Sequence, residues 1–465
     1  MNATGAFFRR ASESPNAIAV EGADGTAISY GELAWHALRV AACLTSGERV
    51  SICASNSPKL IAAWLGILAA RAVVVPLSLS APAAEQAERR RRTGALRYVD
   101  ADALETLGAD PTATGPVDGL PEDLALLLST SGTTGEPRFV AIGHGSLVRH
   151  TDSIVSRVLD LGPTDRIGAL LPLAHSFGAR MVLLVGLGVG ATLVLPPNAG
   201  RALPASWPIE ARLTWLPTVP TQLAIWADAP PTRPAVLRWI LSAGAPLPSV
   251  TRLATEARYA CLVREAWGMT EASIATVDGP ARDASPGSVG TAVPGVELRL
   301  TEAGEVLVRG DNVMLGYLDD PEGTAAVKGA DGWVHSGDLG RFDADGRLYL
   351  HGRSKDVILR GGNTIYPAEV EAALLGAPGL VACVVFGTAS EGLGEEVVVA
   401  VVGDVTLDTL REWARPAIAT FKLPTRYLPV ATLPLGPSGK VLRRVVAAQY
   451  LQWRQVAGSD DALAG

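Results

Sequence analysis

Apolar runs and helix-like segments alternate along the first two thirds of the chain. Short runs such as RVSICAS and LALLLST have the length and residue types of buried strands, whereas KLIAAWLGILAARA has helical length and periodicity. Before another such helix, Ser29 precedes Glu32 by three residues, which is the spacing of a capping box. This alternation predicts an α/β fold with mostly parallel sheets flanked by helices.

The pattern changes from about residue 285. Segments such as VELRLTEAGEVLVRG and GRFDADGRLYLHGR alternate apolar and polar positions between Gly and Asp turns, which predicts an antiparallel β subdomain. After Arg353 the pattern becomes strand, helix, two strands and another helix. We therefore predict a large N-terminal domain over residues 1–352 and a small α+β C-terminal domain over residues 353–465.

Composition narrows the class of protein. With 48% hydrophobic and 19% charged residues, the chain has the balance of a globular protein and not of a disordered one. The formal net charge of −7 gives no sign of a nucleic-acid surface, which would need a basic patch. The longest apolar stretch, 181–196, falls short of the roughly 18–20 residues of a spanning helix and is broken by glycines. We expect a cytoplasmic protein without a membrane span, since the N-terminus also lacks the apolar core of a signal peptide.

A loop rich in serine, threonine and glycine follows the apolar strand LALLLST. Glycines allow backbone N–H groups to converge on phosphate oxygens, hydroxyl groups add donors, and Arg138 supplies a positive charge after the loop. It is not a Walker loop, because no Gly-Lys-Ser/Thr closes it. Taken alone, the loop fits a phosphate site or a surface turn. Its residues are Thr130, Ser131, Gly132, Thr133, Thr134 and Gly135.

The segment EAWGMTEAS is a second candidate. Trp267 offers a flat aromatic face suited to stacking on a purine, and Thr270 and Glu271 place a hydroxyl and a carboxylate side by side. A carboxylate near phosphates is what a magnesium site needs. A helix start with a capping threonine and a solvated glutamate is the alternative.

A third segment, WVHSGDLG, places Asp338 in a tight turn. A carboxylate there could accept hydrogen bonds from both hydroxyls of a ribose, although an ordinary turn aspartate is the better interpretation without further context.

Lysine is rare in this chain, which draws attention to two positions. Only five of the 40 basic residues are lysines, so each is less easily explained as general surface charge. Lys440 stands in a Pro-Ser-Gly-Lys turn near the C-terminus, and Lys355 follows Arg353 at the predicted domain boundary.

Together, in this order and spacing, the motifs closely resemble the superfamily of acyl-CoA synthetases, peptide-synthetase adenylation domains and firefly luciferase. SAGAPLP (242–248) and PGSVGTAVPGVELRL (286–300) fit as well, so that the resemblance covers nearly the whole chain. It implies a ligase that uses ATP and Mg²⁺ to convert a carboxylic acid into acyl-AMP and pyrophosphate, and then transfers the acyl group to a thiol. It also implies that the small C-terminal domain is mobile and rotates between the two half-reactions.

The resemblance implies a role for each matching residue. Lys440 would bridge the substrate carboxylate and the α-phosphate, Thr270 would approach the α-phosphate, and Glu271 would coordinate Mg²⁺. With His175, these three would be the catalytic residues. Asp338 and Arg353 would bind the ribose, and Lys355 would be the hinge. The other nucleotide-binding positions would be the Ser/Thr/Gly loop, Arg138, Ala245, Pro246, Trp267 and Gly268. The family usually has lysine where Arg138 stands and tyrosine where Trp267 stands, so that charge and aromatic face are kept.

The resemblance also indicates which class of acid is the substrate and which group accepts the acyl chain. Members that activate α-amino acids usually carry an aspartate in the segment that corresponds to 171–181, which has no acidic residue here, whereas His175 is usual in ligases of other acids. We therefore expect a small carboxylic acid without an α-ammonium group. GGNTIYPAEVE resembles CoA ligases, which favours CoA as acceptor; the phosphopantetheine of an acyl carrier protein, or an amine, is the alternative. The predicted pocket residues are His175, Ser176, Phe177, Val219, Ala243, Gly244, Ala266, Met269 and Ser273.

Overall fold

The computed structural model describes residues 2–106, 124–130, 138–157, 159–197, 203–227, 229, 236–278, 285, 287–390, 392–435 and 441–457. The α-helices are α1 (Gly5–Glu13), α2 (Tyr30–Ala42), α3 (Pro58–Ala69), α4 (Ala83–Thr93), α5 (Ala103–Thr106), α6 (His144–Arg157), α7 (Gly186–Val189), α8 (Trp207–Glu210), α9 (Pro220–Ala227), α10 (Ser249–Tyr259), α11 (Pro321–Val327), α12 (Pro367–Leu374), α13 (Leu407–Ala414) and α14 (Arg443–Ala457). A π-helix spans Gly178–Val185, and 3₁₀-helices span Ser354–Asp356 and Thr420–Lys422.

The strands, in chain order, are β1 (Ile18–Glu21), β2 (Ala27–Ser29), β3 (Arg49–Ile52), β4 (Val73–Pro76), β5 (Arg97–Val99), β6 (Leu124–Thr130), β7 (Arg138–Gly143), β8 (Arg166–Gly168), β9 (Thr192–Val194), β10 (Trp215–Thr218), β11 (Trp239–Ala243), β12 (Leu262–Met269), β13 (Ser273–Val277), β14 (Thr291–Ala292), β15 (Val296–Leu300), β16 (Glu305–Gly310), β17 (Gly316–Tyr317), β18 (Val334–Phe342), β19 (Leu348–Arg353), β20 (Ile358–Arg360), β21 (Asn363–Ile365), β22 (Leu380–Ser390), β23 (Gly394–Gly403) and β24 (Arg426–Pro429).

Two large mixed sheets dominate the fold. A nine-stranded sheet has the order β14-β13-β12-β11-β10-β8-β9-β1-β2, with parallel pairing from β12 to β1 and antiparallel strands at its edges. A six-stranded sheet has the order β17-β7-β6-β4-β3-β5, in which β6, β4, β3 and β5 are parallel. The prediction of mostly parallel sheets flanked by helices is confirmed.

The main core contains residues of both large sheets together with α2 and α3. All residues of α3 from Leu60 to Ala69 are buried, as its uninterrupted apolar sequence requires. At Gly66 an added Cβ would lie 2.5 Å from the Ala37 carbonyl oxygen, so glycine lets α2 and α3 pack closely. The capping box predicted at α2 is also present, because Ser29 and Glu32 each accept a hydrogen bond from the other's backbone N–H.

Two smaller sheets follow. The predicted β subdomain is the antiparallel sheet β15-β16-β18-β19, which ends at Arg353. Beyond it, β20 to β24 form a five-stranded sheet, and the apolar faces of α12 and α13 pack on it in a separate core. No helix in the described part of the chain is long and apolar enough to cross a membrane.

Candidate active site

The carboxyl ends of three parallel strands lie side by side. We call this side of the nine-stranded sheet, where the strands end, its carboxyl edge. Thr218 of β10 pairs with Ser242 of β11, and Ala243 pairs with Ala266 of β12. Gly244 follows β11 directly and has a φ of +95°, a conformation that favours glycine. Carboxyl ends of parallel strands are where open α/β sheets bind ligands. The register brings the following predicted pocket residues to this edge: Val219, Ala243, Gly244, Ala266 and Met269. Next along the chain, Ala245 is half-buried and Pro246 is exposed.

A tight hairpin closes this edge. Gly268 pairs with Ile274 and Met269 with Ser273, where β12 turns into β13. An added Cβ on Gly268 would lie 1.8 Å from the Ser273 carbonyl oxygen, so only glycine fits there. Ser273 itself has a φ of +49°, which is uncommon for a residue with a side chain. The hairpin therefore presents Thr270 and Glu271 at its tip.

Trp267, Asp338 and Arg353 form one hydrogen-bonded group beside this hairpin. The indole Nε1 of Trp267 donates to Asp338 Oδ2 over 2.8 Å, and Arg353 Nε lies 3.0 Å from Asp338 Oδ1. Asp338 stands opposite Arg353 in the β18–β19 register, so backbone pairing aligns the two. Trp267 and Asp338 are buried, whereas Arg353 is exposed. A carboxylate has about four lone-pair sites, so Asp338 keeps acceptor capacity for further donors.

Glu271 has a partner that the motifs did not indicate. The Tyr317 hydroxyl donates a hydrogen bond of 2.8 Å to Glu271 Oε1. Burial and the adjacent Glu271 carboxylate raise the pKa of Tyr317, so its hydroxyl remains a donor at neutral pH. The Arg138 guanidinium lies 5.0 Å from the centre of the Tyr317 ring and 3.3 Å from Asp320. Arg138 and Glu271 therefore both contact Tyr317, one at its ring and the other at its hydroxyl.

The two ends of the predicted phosphate loop lie side by side. Thr130 pairs with Arg138 across β6 and β7, and its hydroxyl donates to the Arg138 carbonyl oxygen over 3.5 Å. Six predicted residues lie outside the described residues: Ser131, Gly132, Thr133, Thr134, Gly135 and Lys440.

The predicted pocket segment His175–Phe177 leads directly into the π-helix. The His175 backbone N–H donates to the Pro172 carbonyl, and an added Cβ on Gly178 would lie 2.2 Å from the same oxygen, so the segment turns tightly. His175, Ser176 and Phe177 are half-buried, and Phe177 packs against the main core.

The predicted hinge lies next to the Trp267 group. Lys355 is exposed in the 3₁₀-helix that follows Arg353, and the Ser354 hydroxyl donates to the Gly337 carbonyl over 3.3 Å. Partial burial of its ammonium group and the nearby Arg353 and Arg444 guanidinium groups lower the pKa of Lys355. Asp356 pairs with Arg443 at 2.9 Å, and Arg443 also pairs with Glu371 at 2.7 Å.

Comparison with known proteins identifies the family of the chain. A family model described as AMP-binding enzyme matches residues 7–318, and one for the AMP-binding enzyme C-terminal domain matches residues 369–440. The chain belongs to the AMP-binding enzyme family. Its membership confirms the resemblance predicted from the motifs.

Relatives within the AMP-binding enzymes define the activity. The chain is 34% identical to sulfoacetate–CoA ligase of Cupriavidus necator, over 90% of this chain and 92% of that one. It is also 34% identical to feruloyl-CoA synthase of Amycolatopsis sp, over 95% of this chain and 98% of that one. The fold also superposes on a crystal structure of ATP-bound MatB from Rhodopseudomonas palustris with a TM-score of 0.88. The two sequences are 28% identical, and the match covers 97% of this chain and 99% of that one. The chain is an adenylate-forming acid–thiol ligase that uses ATP to join a small carboxylic acid to CoA.

The sequence patterns did not identify every residue of this AMP-binding enzyme's site. Tyr317 contacts Glu271 from 46 positions away, and its only local signal is an aromatic residue after a glycine in LGYLDD. The single charge of Arg180 within the apolar run GARMVLLVG is also a visible signal in the sequence that the motifs did not use.

Proposed function

We propose that this ligase carries out both half-reactions at the carboxyl edge of the nine-stranded sheet. In the first, a carboxylate oxygen attacks the α-phosphorus of ATP; a new O–P bond forms and the bond to pyrophosphate breaks. In the second, the CoA sulfur attacks the acyl carbon, AMP leaves, and the thiol proton passes to solvent. The observation that carries the proposal is the group formed by Trp267, Asp338 and Arg353 beside the Glu271 hairpin.

The nucleotide would lie along this group. Trp267 is suited to cover the adenine, and Asp338 to accept hydrogen bonds from the ribose hydroxyls with Arg353 beside it. Two donors already orient the Asp338 carboxylate, so little reorganisation is needed when ATP binds. Thr270 would approach the α-phosphate. The other proposed contacts to ATP come from residues 130–135, Arg138, Ala245, Pro246 and Gly268.

Glu271 is suited to hold Mg²⁺. Its Oε1 accepts a hydrogen bond from Tyr317, and its Oε2 has no hydrogen-bond partner among the described residues. One carboxylate together with substrate phosphates is a common set of ligands for Mg²⁺ in nucleotide sites. The bound ion would offset phosphate charge during displacement of pyrophosphate. Tyr317 keeps the Glu271 carboxylate in one orientation.

Lys440 would bring the two anions of the first half-reaction together. A substrate carboxylate and an α-phosphate repel each other, and an ammonium group placed between them offsets that repulsion. We further propose that the small C-terminal domain rotates about Lys355 relative to the large N-terminal domain. Rotation would withdraw Lys440 and open a path for the thiol.

The acid should lack an α-ammonium group. His175, Ser176, Phe177 and Ser273, with the residues at the strand ends, line the proposed pocket, and segment 171–181 offers no carboxylate to pair with an ammonium. Burying an unpaired charge is costly, so free α-amino acids should be poor substrates. The named relatives act on sulfoacetate and on an aromatic acid, ferulate, so the family alone does not select the acid here.

A panel of carboxylic acids, read by pyrophosphate release with ATP and Mg²⁺ and then by thioester after CoA addition, tests the proposal. We expect acyl-AMP and pyrophosphate in the first step. Release of ADP and phosphate would place cleavage at the γ-phosphorus and refute adenylation. If acyl-AMP reacts with the phosphopantetheine of a carrier protein or with an amine, but not with CoA, then CoA is not the acceptor. Efficient turnover of a proteinogenic amino acid would overturn the proposed acid class.

A further inference from the structure

Arg180 is a buried arginine in the π-helix Gly178–Val185. Only 2% of its surface is exposed. Its Nη1 donates to Nδ1 of His150 at 3.5 Å, and the Nε2 of His150 donates to the Ile274 carbonyl oxygen at 2.8 Å. Burial and the Arg180 charge lower the pKa of His150 to about 3, so the imidazole is neutral and its Nδ1 can accept. The guanidinium is therefore held on one side by an uncharged partner.

The rest of the guanidinium is unsatisfied. Among the described residues, the buried Nε and Nη2 of Arg180 have no hydrogen-bond partner, and no carboxylate lies within 4 Å of the guanidinium. Burial lowers the pKa of Arg180 to about 9, which leaves the group charged at neutral pH. Arg252 is a buried arginine with the opposite surroundings, because it lies within 4 Å of Glu256, Glu265 and Asp278. An uncompensated buried cation is costly in a folded protein.

Arg180 is linked to two elements of the proposed acid pocket. The π-helix that carries it begins directly after His175–Phe177. On the other side, His150 reaches Ile274, which pairs with Gly268 and follows Ser273 in the hairpin that closes the strand edge. Arg180 is thus joined to the pocket segment by the chain and to the pocket hairpin through His150.

We propose that Arg180 determines substrate specificity, and that the preferred acid carries a second anionic group, a carboxylate or a sulfonate, which accepts hydrogen bonds from Nε and Nη2. This inference rests on the proposed function of the same site. The reacting carboxylate would point toward the α-phosphate, while the distal anion supplies the charge that Arg180 lacks. The same cation would repel an α-ammonium group.

Matched acids test the inference. Each dicarboxylate or sulfocarboxylate is compared with an acid of equal length in which a methyl group replaces the distal anion, for example succinate with butyrate and glutarate with pentanoate. Hydrogen bonds to charged groups correspond to about 10- to 100-fold in affinity, so we expect kcat/KM for pyrophosphate release to favour the second anion by that factor.

Two variants separate specificity from general damage. Arg180→Met keeps much of the volume and removes the charge, so it should abolish or reverse the preference. Arg264→Met is the matched control, because Arg264 stacks 4.4 Å over Trp239 at the amino end of β11 and should leave the preference unchanged. The melting temperature of the ligand-free enzyme gives a second readout: Arg180→Met should raise it, because an uncompensated buried charge is removed.

The outcomes are distinguishable. A wild-type preference for the neutral acids, or the same preference in Arg180→Met as in wild type, would overturn the inference and leave adenylation standing. If no acid in the panel leads to pyrophosphate release, that result counts against the proposed function. The comparison of melting temperatures between wild type and Arg180→Met then tests the inference about Arg180 by itself. A lower melting temperature for Arg180→Met than for wild type would show that the protein already compensates this charge, and the inference would fall.

Discussion

The residues up to Arg353 and those after it contribute to the site in different ways. Before this point, the groups proposed to bind the nucleotide hold one another: Trp267 and Arg353 both bind Asp338, and Tyr317 binds Glu271. After it, the proposed hinge residue Lys355 is exposed on a single turn of 3₁₀-helix. The binding groups are therefore oriented before ATP arrives.

This difference suggests that the residues up to Arg353 mainly bind the nucleotide, whereas the residues after it act in the chemical steps. Preorganised donors and acceptors lower the cost of binding a ligand in one geometry. Groups that must serve two reactions gain from being movable. Substitutions on the two sides of Arg353 should therefore have different kinetic effects, and three of them test the comparison.

The largest effect is expected for Lys440→Ala. Loss of one preorganised electrostatic contact costs roughly 10²–10³ in rate, so adenylation should fall by that factor while the melting temperature stays unchanged. Pyrophosphate release gives the rate. Lys422→Ala is the control, because Lys422 also lies after Arg353 but is paired with Glu369 at 2.5 Å. Wild-type adenylation by Lys440→Ala would remove this lysine from the mechanism.

Lys355→Pro should separate the two half-reactions. Proline fixes φ near −65° and restricts the preceding residue, which would hinder rotation of the chain at this position. We expect single-turnover pyrophosphate release to persist and thioester formation to fall at least about tenfold, which corresponds to ~1.4 kcal/mol in the barrier. Both products are measured in the same sample, with Lys355→Ala as the control for loss of the side chain. Equal losses in the two steps would show that Lys355 is not the pivot.

Trp267→Phe should have the smallest effect and change binding alone. The variant keeps an aromatic face but removes the hydrogen bond to Asp338, and such a bond to a charged group contributes about 1.5–3 kcal/mol. We expect the KM for ATP to rise roughly tenfold, with kcat close to wild type in both half-reactions. A loss in kcat with an unchanged KM would contradict the view that this group is a binding element.

Local sequence patterns correctly predicted those elements that are stabilised by contacts between residues close in the sequence. The capping box at Ser29 and the strand 124–130 are present as expected, because the hydrogen bonds and apolar period that define them involve near neighbours. The strand-end location of Ala243, Ala266 and Met269 also follows once parallel order is assumed.

Contacts between distant parts of the chain could not be predicted in the same way. Trp267 meets Asp338 across 71 positions, and no local period encodes that pairing. The motifs named both residues but did not predict their hydrogen bond. Arg180 was missed because its meaning depends on what surrounds it: its lack of a counter-charge is a property of the packed structure and cannot be read from the run of residues around it.

The ionic contacts of Arg443 have a consequence for recombination between relatives. One guanidinium joins Asp356, beside the proposed hinge, to Glu371 in α12, and also donates to the Val385 carbonyl in β22. A chimera that exchanged only the last helix would have to provide an arginine for both carboxylates or leave them facing each other without a cation. A crossover that separates Arg443 from Asp356 and Glu371 should therefore keep an arginine at this position.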